Sequence, residues 1–178
     1  MGEMGPKKGP CMTDNKVHSN GKGLLYTKEE RERRDKTAWT FVQGVLAPVQ
    51  FVVFLVSLAL VLNYFINETW ESLALISVVL KTIILYMIMV TGSIWEKVVF
   101  GKYLFAKPFF WEDLFSMLVL FLHSLYLVSL FIPALSTKHQ LAIAVAAYIA
   151  YLINAIQFLI KFRIASVESH STIHGVTP

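Results

Sequence analysis

Four apolar stretches, roughly 42–65, 73–95, 110–132 and 141–160, occupy most of this 178-residue chain. Each holds about twenty residues, and at 1.5 Å rise per residue that length crosses a ~30 Å hydrocarbon layer. Lipid offers the backbone no hydrogen-bond partners, so spans of this kind are helices. The expected fold is all-α: an integral membrane four-helix bundle over residues 26–163. Composition excludes the alternatives. Hydrophobic residues make up 56% and charged residues 16%, against ~45–50% and ~25% in soluble globular proteins. A soluble domain this small is mostly surface and has nowhere to bury so much apolar area. The single cysteine, Cys11, rules out a disulfide scaffold.

The flanks are polar. Residues 1–25 are rich in Gly, Lys and Asn and read as a disordered tail. They contain no apolar stretch, so no cleavable signal peptide is expected. Residues 164–178 form a C-terminal tail. Order is expected to begin at Thr27, where Thr27-Lys-Glu-Glu30 fits a capping box. Glu29/Arg33, Glu30/Arg34 and Glu32/Lys36 are i,i+4 pairs of the favourable orientation, which predicts a short charged helix on the membrane surface.

Basic residues set the expected orientation. The segment before the first span, the connection between the second and third spans, and the residues just after the fourth span (Lys161 and Arg163) together hold fourteen of the sixteen Lys and Arg. Both termini are therefore expected on the cytoplasmic side of the cytoplasmic membrane. Trp39, Trp95 and Trp111 mark the inner interface and Trp70 the outer one. The net charge of +4 is then a signal of topology and of attraction to anionic lipid, and nucleic acid is not an expected partner.

Polar residues within the spans are costly and are functional candidates. Gln43, Gln50, Ser57 and Tyr64 recur every seven residues on one face of the first span. Thr82, Tyr86, Ser93 and Glu96 share a face of the second. Glu112, Ser116 and His123 share a face of the third, with Asp113 beside it. Asn154 and Gln157 neighbour each other on the fourth. Most of these fall in the cytoplasmic half, with His123 near mid-membrane, so a pocket between helices open to the inner leaflet is expected. Each residue also has a plain structural reading. Glu112 and Asp113 follow Pro108 and complement a helix N-terminus. Glu96 and Lys97 form an interfacial ion pair. The amides are interhelical hydrogen-bond partners. Lys81 is expected to snorkel to the outer interface.

The sequence contains no P-loop, CxxC, HExxH or GxSxG motif. A lone intramembrane histidine argues against bis-histidine haem ligation, and internal symmetry of the transporter kind is not visible. What remains is a carboxylate-rich pocket among aromatics, suited to acid–base chemistry on a flat apolar molecule.

The segments WTFVQGVLAPVQFVVFLVSL (39–58), KTIILYMIMVTGSIWEKVVFGKYLF (81–105) and FFWEDLFSMLVLFLHS (109–124) carry a resemblance. A milder one continues in AAYIAYLINAIQFL (146–159). They resemble the 3-vinyl (bacterio)chlorophyllide hydratase family of bacteriochlorophyll biosynthesis, over roughly 26–163. The resemblance implies a hydro-lyase that adds water across the C3-vinyl group of a chlorophyllide, giving a 1-hydroxyethyl substituent. It implies no cofactor, the magnesium being carried by the substrate.

Protonating the terminal vinyl carbon places a cation beside the macrocycle, and water captures it. The reaction needs an acid that stays protonated, a placed water and negative potential. Burial and a neighbouring carboxylate both favour retention of a proton. Glu96 or Glu112 is the expected acid, with Asp113 orienting water or acting as base. His123 is expected either as axial ligand to the substrate magnesium or as a proton relay. Trp95, Phe109, Phe110 and Trp111 are expected to pack on the ring. Lys97 or Lys102 is expected to pair with the substrate propionate, and Gln43, Gln50 and Asn154 to bond ring carbonyls or the water. The competing readings are a non-catalytic tetrapyrrole-binding membrane protein and a membrane subunit of a larger complex. GxxxG seams are absent, so the sequence assigns no oligomeric state.

Overall fold

The computed structural model describes residues 25–173. Residues 1–24 of the expected tail and the last five residues lie outside the described part. The short helix α1 spans Lys28–Lys36 and is followed by α2 over Ala38–Asn67, α3 over Glu71–Phe100, α4 over Phe110–Ser129 and α5 over Thr137–Ile173. No strand occurs among the described residues. Among the described residues, four helical segments are long and apolar enough to cross a membrane.

Local chemistry sets the boundaries. Thr27 and Glu30 form the reciprocal capping box at the start of α1, the Thr27 hydroxyl accepting from Glu30 N–H at 3.2 Å. Thr37 ends α1 and caps α2. Pro48 lies inside α2 without ending it. Gly101 closes α3 at φ 79°, a left-handed conformation that suits glycine. The last helical residue of α4 is Ser129, short of the expected Ile132, and residues 130–132 continue in tighter i→i+3 bonds to Leu127, Val128 and Ser129 up to Pro133. The helix α5 continues beyond the expected end at residue 160 and reaches Ile173.

The helices pair as two antiparallel hairpins, α2 with α3 and α4 with α5. Far from α1, the hairpins share a core of Phe54, Val61, Val78, Leu85, Val119, Tyr126 and Tyr148, with the small Ala74 and Ala144 between. The seven-residue stripe on α2 faces inward, with Gln50, Ser57 and Tyr64 buried. Large apolar residues such as Phe41, Ile66, Phe121 and Leu159 point outward.

Lipid removes most of the hydrophobic drive between helices, which leaves packing and polar bridges to join them. Four bridges stitch the half distant from α1. The Ser77 hydroxyl donates to Ala74 O at 2.7 Å, so it must accept from Ser57 at 2.6 Å. Ser57 has then spent its hydrogen and accepts from the Tyr148 hydroxyl, also at 2.6 Å. This directed chain links α5, α2 and α3. Lys81 bonds His123 at 2.7 Å, Tyr86 bonds Ser124 at 2.7 Å, and the Tyr126 hydroxyl donates to Leu75 O at 3.0 Å. Outside the spans, Lys138 pairs with Glu68, and this bond and charge hold the Glu68 carboxyl below its ordinary range.

Replacing Tyr148 by Phe removes the donor that heads the chain and leaves the buried Ser57 oxygen without a donor. The expected loss is about 1–3 kcal/mol of stability, read as a lower midpoint in a denaturing-detergent titration. An unchanged midpoint would show that the chain does not hold the hairpins together.

Candidate active site at the α1 end of the bundle

The half of the bundle next to α1 is organised differently. There, α3 ends at Phe100, the chain crosses through 101–106, a 3-10 turn over Lys107–Phe109 follows, and α4 begins. Glu96 lies on the last turn of α3, and Glu112 and Asp113 on the first turn of α4. All three are buried, at 6%, 6% and 2% exposure.

Glu96 and Asp113 face each other within hydrogen-bonding range. Asp113 Oδ2 accepts from Phe105 N–H at 2.6 Å, and Glu96 Oε2 accepts from Ala106 N–H at 3.4 Å. Two adjacent amides of the crossing loop thus fix the two carboxyls. Phe105 sits at φ 59°, a left-handed conformation that is uncommon for a non-glycine residue. Strain of this kind persists where surrounding bonds over-determine it, and the Asp113 bond is one of them.

Glu112 points into the interface between α4 and α5. Its Oε1 lies 3.7 Å from Lys161 Nζ, and Lys161 also donates to Pro108 O at 2.5 Å. Its Oε2 is buried and has no hydrogen-bond partner in the protein. One turn along, Asn154 Nδ2 donates to Ser116 Oγ at 2.8 Å, and Ser116 donates to Glu112 O at 2.9 Å. Asn154 Oδ1, Gln157 Oε1 and both amide atoms of Gln50 are likewise buried without a protein partner. Buried polar atoms are almost always bonded. Four described residues with such atoms, on α2, α4 and α5, lie in one half of the bundle.

The aromatic residues divide. Trp95 and Phe109 are buried and meet at 5.7 Å between centroids, in a cluster with Tyr26, Phe100 and Phe158. Trp95 Nε1 donates to Thr40 Oγ1 at 2.9 Å. Phe110 and Trp111, by contrast, are 46% and 64% exposed on the outside of the bundle. Gln43 donates to Thr91 at 2.7 Å and ties α2 to α3. Lys97 donates to Gly101 O at 3.1 Å and lies over the Tyr103 ring, and Lys102 is exposed in the loop.

His123 is not part of this group. It lies ten residues beyond Asp113 on α4, about 15 Å along the axis. It is fully buried. A carbonyl oxygen only accepts, so the 2.8 Å contact with Val119 O makes Nδ1 a donor. Nε2 then presents its lone pair to Lys81 Nζ at 2.7 Å.

The expectation that Lys81 snorkels outward is corrected here. Its ammonium nitrogen stays inside the bundle, 4.0 Å from the Tyr151 ring centroid and 5.6 Å from that of Tyr148. Lys81 lies ten residues into α3, ~15 Å from the helix start, too far for its side chain to reach the interface. That count is visible in the sequence and could have revealed the pairing. Lys161 carried a weaker signal: it follows Asn154 by seven residues and so shares its face.

The sequence profile of the 2-vinyl bacteriochlorophyllide hydratase (BCHF) family matches residues 26–164. A 2-vinyl bacteriochlorophyllide hydratase of Cereibacter sphaeroides is 56% identical over 146 residues, covering 81% of this chain and 89% of that protein. One from Rhodobacter capsulatus is 53% identical over 162 residues, covering 90% of this chain and 94% of that protein. No solved structure matches the chain. The matched region runs from buried Tyr26 through the carboxyl pair to the end of the apolar part of α5, and the chain belongs to the 2-vinyl bacteriochlorophyllide hydratase family.

Proposed function

We propose that this chain is a membrane hydro-lyase that adds water across the vinyl group of a bacteriochlorophyllide-type macrocycle. The observation that carries the reading is the Glu96–Asp113 pair: two buried carboxyls, face to face, fixed by adjacent loop amides.

Two carboxyls at this separation share a hydrogen bond only when one proton lies between them. That proton is the one the alkene needs. The vinyl π pair takes it at the terminal carbon and forms the new C–H bond. The cation left on the ring-attached carbon is delocalised by the macrocycle, and the carboxylate just formed stabilises it. A lone pair of water makes the C–O bond, and the surplus proton of the oxonium returns to the carboxylate group. The acid is restored and nothing is oxidised or reduced, so the chain's own residues suffice. Glu112 adds negative potential beside the pair and is the second candidate acid.

The edge of the macrocycle enters between the hairpins at the α1 end, guided by the Trp95–Phe109 cluster. Gln50, Gln43 and Asn154 are the proposed contacts to ring carbonyls or water, and Lys97 or Lys102 the proposed partner of the propionate. Phe110 and Trp111 sit on the outer surface and are proposed to meet the substrate on its way in from the bilayer. For His123, a relay role with Lys81 fits the hydrogen bonding better than magnesium ligation, because Lys81 already holds the lone pair that a metal requires. The basic α1 end is proposed to face the cytoplasm, with anionic lipid around it.

The test is direct. Purified full-length protein in detergent, given a vinyl bacteriochlorophyllide, is expected to yield a product heavier by one water. A pigment absorption shift without that product would replace this reading by the non-catalytic one.

A further inference from the structure

We infer that Glu112, Asn154 and Gln157 form the seat of the reacting water, with Gln157 a catalytic residue of the hydration. This rests on the proposed hydratase reading and adds the origin of the nucleophile.

The partnerless atoms on α4 and α5 are all oxygens: Glu112 Oε2, Asn154 Oδ1 and Gln157 Oε1. The Asn154 assignment is fixed by counting hydrogens. Ser116 spends its only hydroxyl hydrogen on Glu112 O at 2.9 Å, so it must accept from Asn154 at 2.8 Å. Asn154 therefore gives its NH2 to Ser116 and keeps Oδ1 free. Asn154, Gln157 and Lys161 follow one another on one face of α5, opposite Glu112 and Ser116 on α4. Lys161 holds Oε1 of Glu112 at 3.7 Å and leaves Oε2 to the interface. Glu112 and Asn154 are 6% and 8% exposed, so bulk solvent does not satisfy these oxygens.

A site made of acceptors selects a donor. Water fits, because it has two hydrogens to give and retains lone pairs. Held by two of the three oxygens, it turns its hydrogens to the protein and a lone pair towards the cation. A macrocycle carbonyl, being an acceptor, does not fit. After the C–O bond forms, Glu112 Oε2 is placed to take the surplus proton from the oxonium and pass it to the neighbouring Glu96–Asp113 pair.

The seat separates two steps that the overall rate merges. Protonation of the vinyl group is reversible if water is slow to arrive, since the cation then returns a hydrogen from its new methyl group. In D2O such a return leaves deuterium on the terminal vinyl carbon of recovered substrate. In the wild-type enzyme capture outruns return and little label is left. Gln157→Leu is expected to lower hydration ~10-fold or more, the order expected for one lost hydrogen bond to a reacting group, while the acid still delivers its deuteron. The ratio of vinyl labelling to hydration should rise at least as much. Gln157→Glu keeps the acceptor and is expected to restore the ratio to near the wild-type value. Asn154→Ser provides an independent variant at the other end of the seat and should shift the ratio in the same direction.

The ratio is read on folded, purified full-length enzyme by mass spectrometry of substrate and product, so partial loss of protein does not move it. If labelling and hydration fall together in Gln157→Leu and Asn154→Ser, or neither changes, the seat is overturned. If the wild-type enzyme gives neither label nor product, the hydratase reading itself has failed, which is a separate result.

Discussion

Asp113→Asn is expected to leave the bundle folded and reduce turnover by ~10²–10⁴, the contribution of a well-placed proton donor. The amide preserves the local geometry. Its carbonyl oxygen still accepts from Phe105 N–H, the contact that Asp113 makes at 2.6 Å. Its NH2 donates to Glu96, which keeps its bond from Ala106 N–H. What disappears is a hydrogen that can leave. Glu96→Gln makes the same change from the other side, and the two losses should not multiply, because the residues act as one proton-holding unit. The measurement is kcat for hydroxyethyl product with unfolding midpoints alongside. Wild-type turnover in both variants would end the shared-proton mechanism, and a collapsed midpoint would place the pair in loop anchoring instead.

His123→Leu should show itself first as a large loss of stability. It strands Lys81 in the bundle interior with its acceptor gone. Leaving a buried donor without its acceptor costs about 1–3 kcal/mol, and more where the donor is charged. Lys81→Met is expected to be milder, about 1–3 kcal/mol, because it removes the charge and leaves only Nε2 without a donor. The double variant should be more stable than the sum of the two losses implies, since it removes the charge and its acceptor together. A denaturing-detergent titration of the four proteins reads this as a coupling energy. Additive losses would mean that the 2.7 Å contact contributes no specific interaction.

The fold was legible because the bilayer simplifies the problem. Uninterrupted apolar length fixes a spanning helix, and the stripe Gln50, Ser57, Tyr64 already marked the inward face of α2. A boundary followed where a residue has one conformational job, as with the Thr27 capping box. The carboxylates were legible as candidates from depth and helical phase. Their partners were not. That Glu96 meets Asp113, and Glu112 turns to Lys161 on another helix, depends on how the hairpins dock, and no local pattern encodes that. Lys81 shows the limit most clearly. Its helix suggested escape to water, but two tyrosine faces and an imidazole from other helices made the interior hospitable. Phe110 and Trp111 show the converse. They adjoin Glu112 in sequence, and the 3.6-residue period turns them to the outside.

The uneven stitching of the two hairpins carries one more consequence. Hydroxyls, imidazole and ammonium tie one pole shut, while the opposite pole retains amides and a carboxylate that still seek company. Separation of the hairpins is therefore easier at the α1 pole, where the Glu96–Asp113 contact and the aromatic cluster are what must yield. On the proposed reading a flat macrocycle would enter and leave at the α1 pole and react at its leading edge. The added hydroxyl would make that edge more at home near headgroups than among acyl chains, so the reaction itself would favour release of the product.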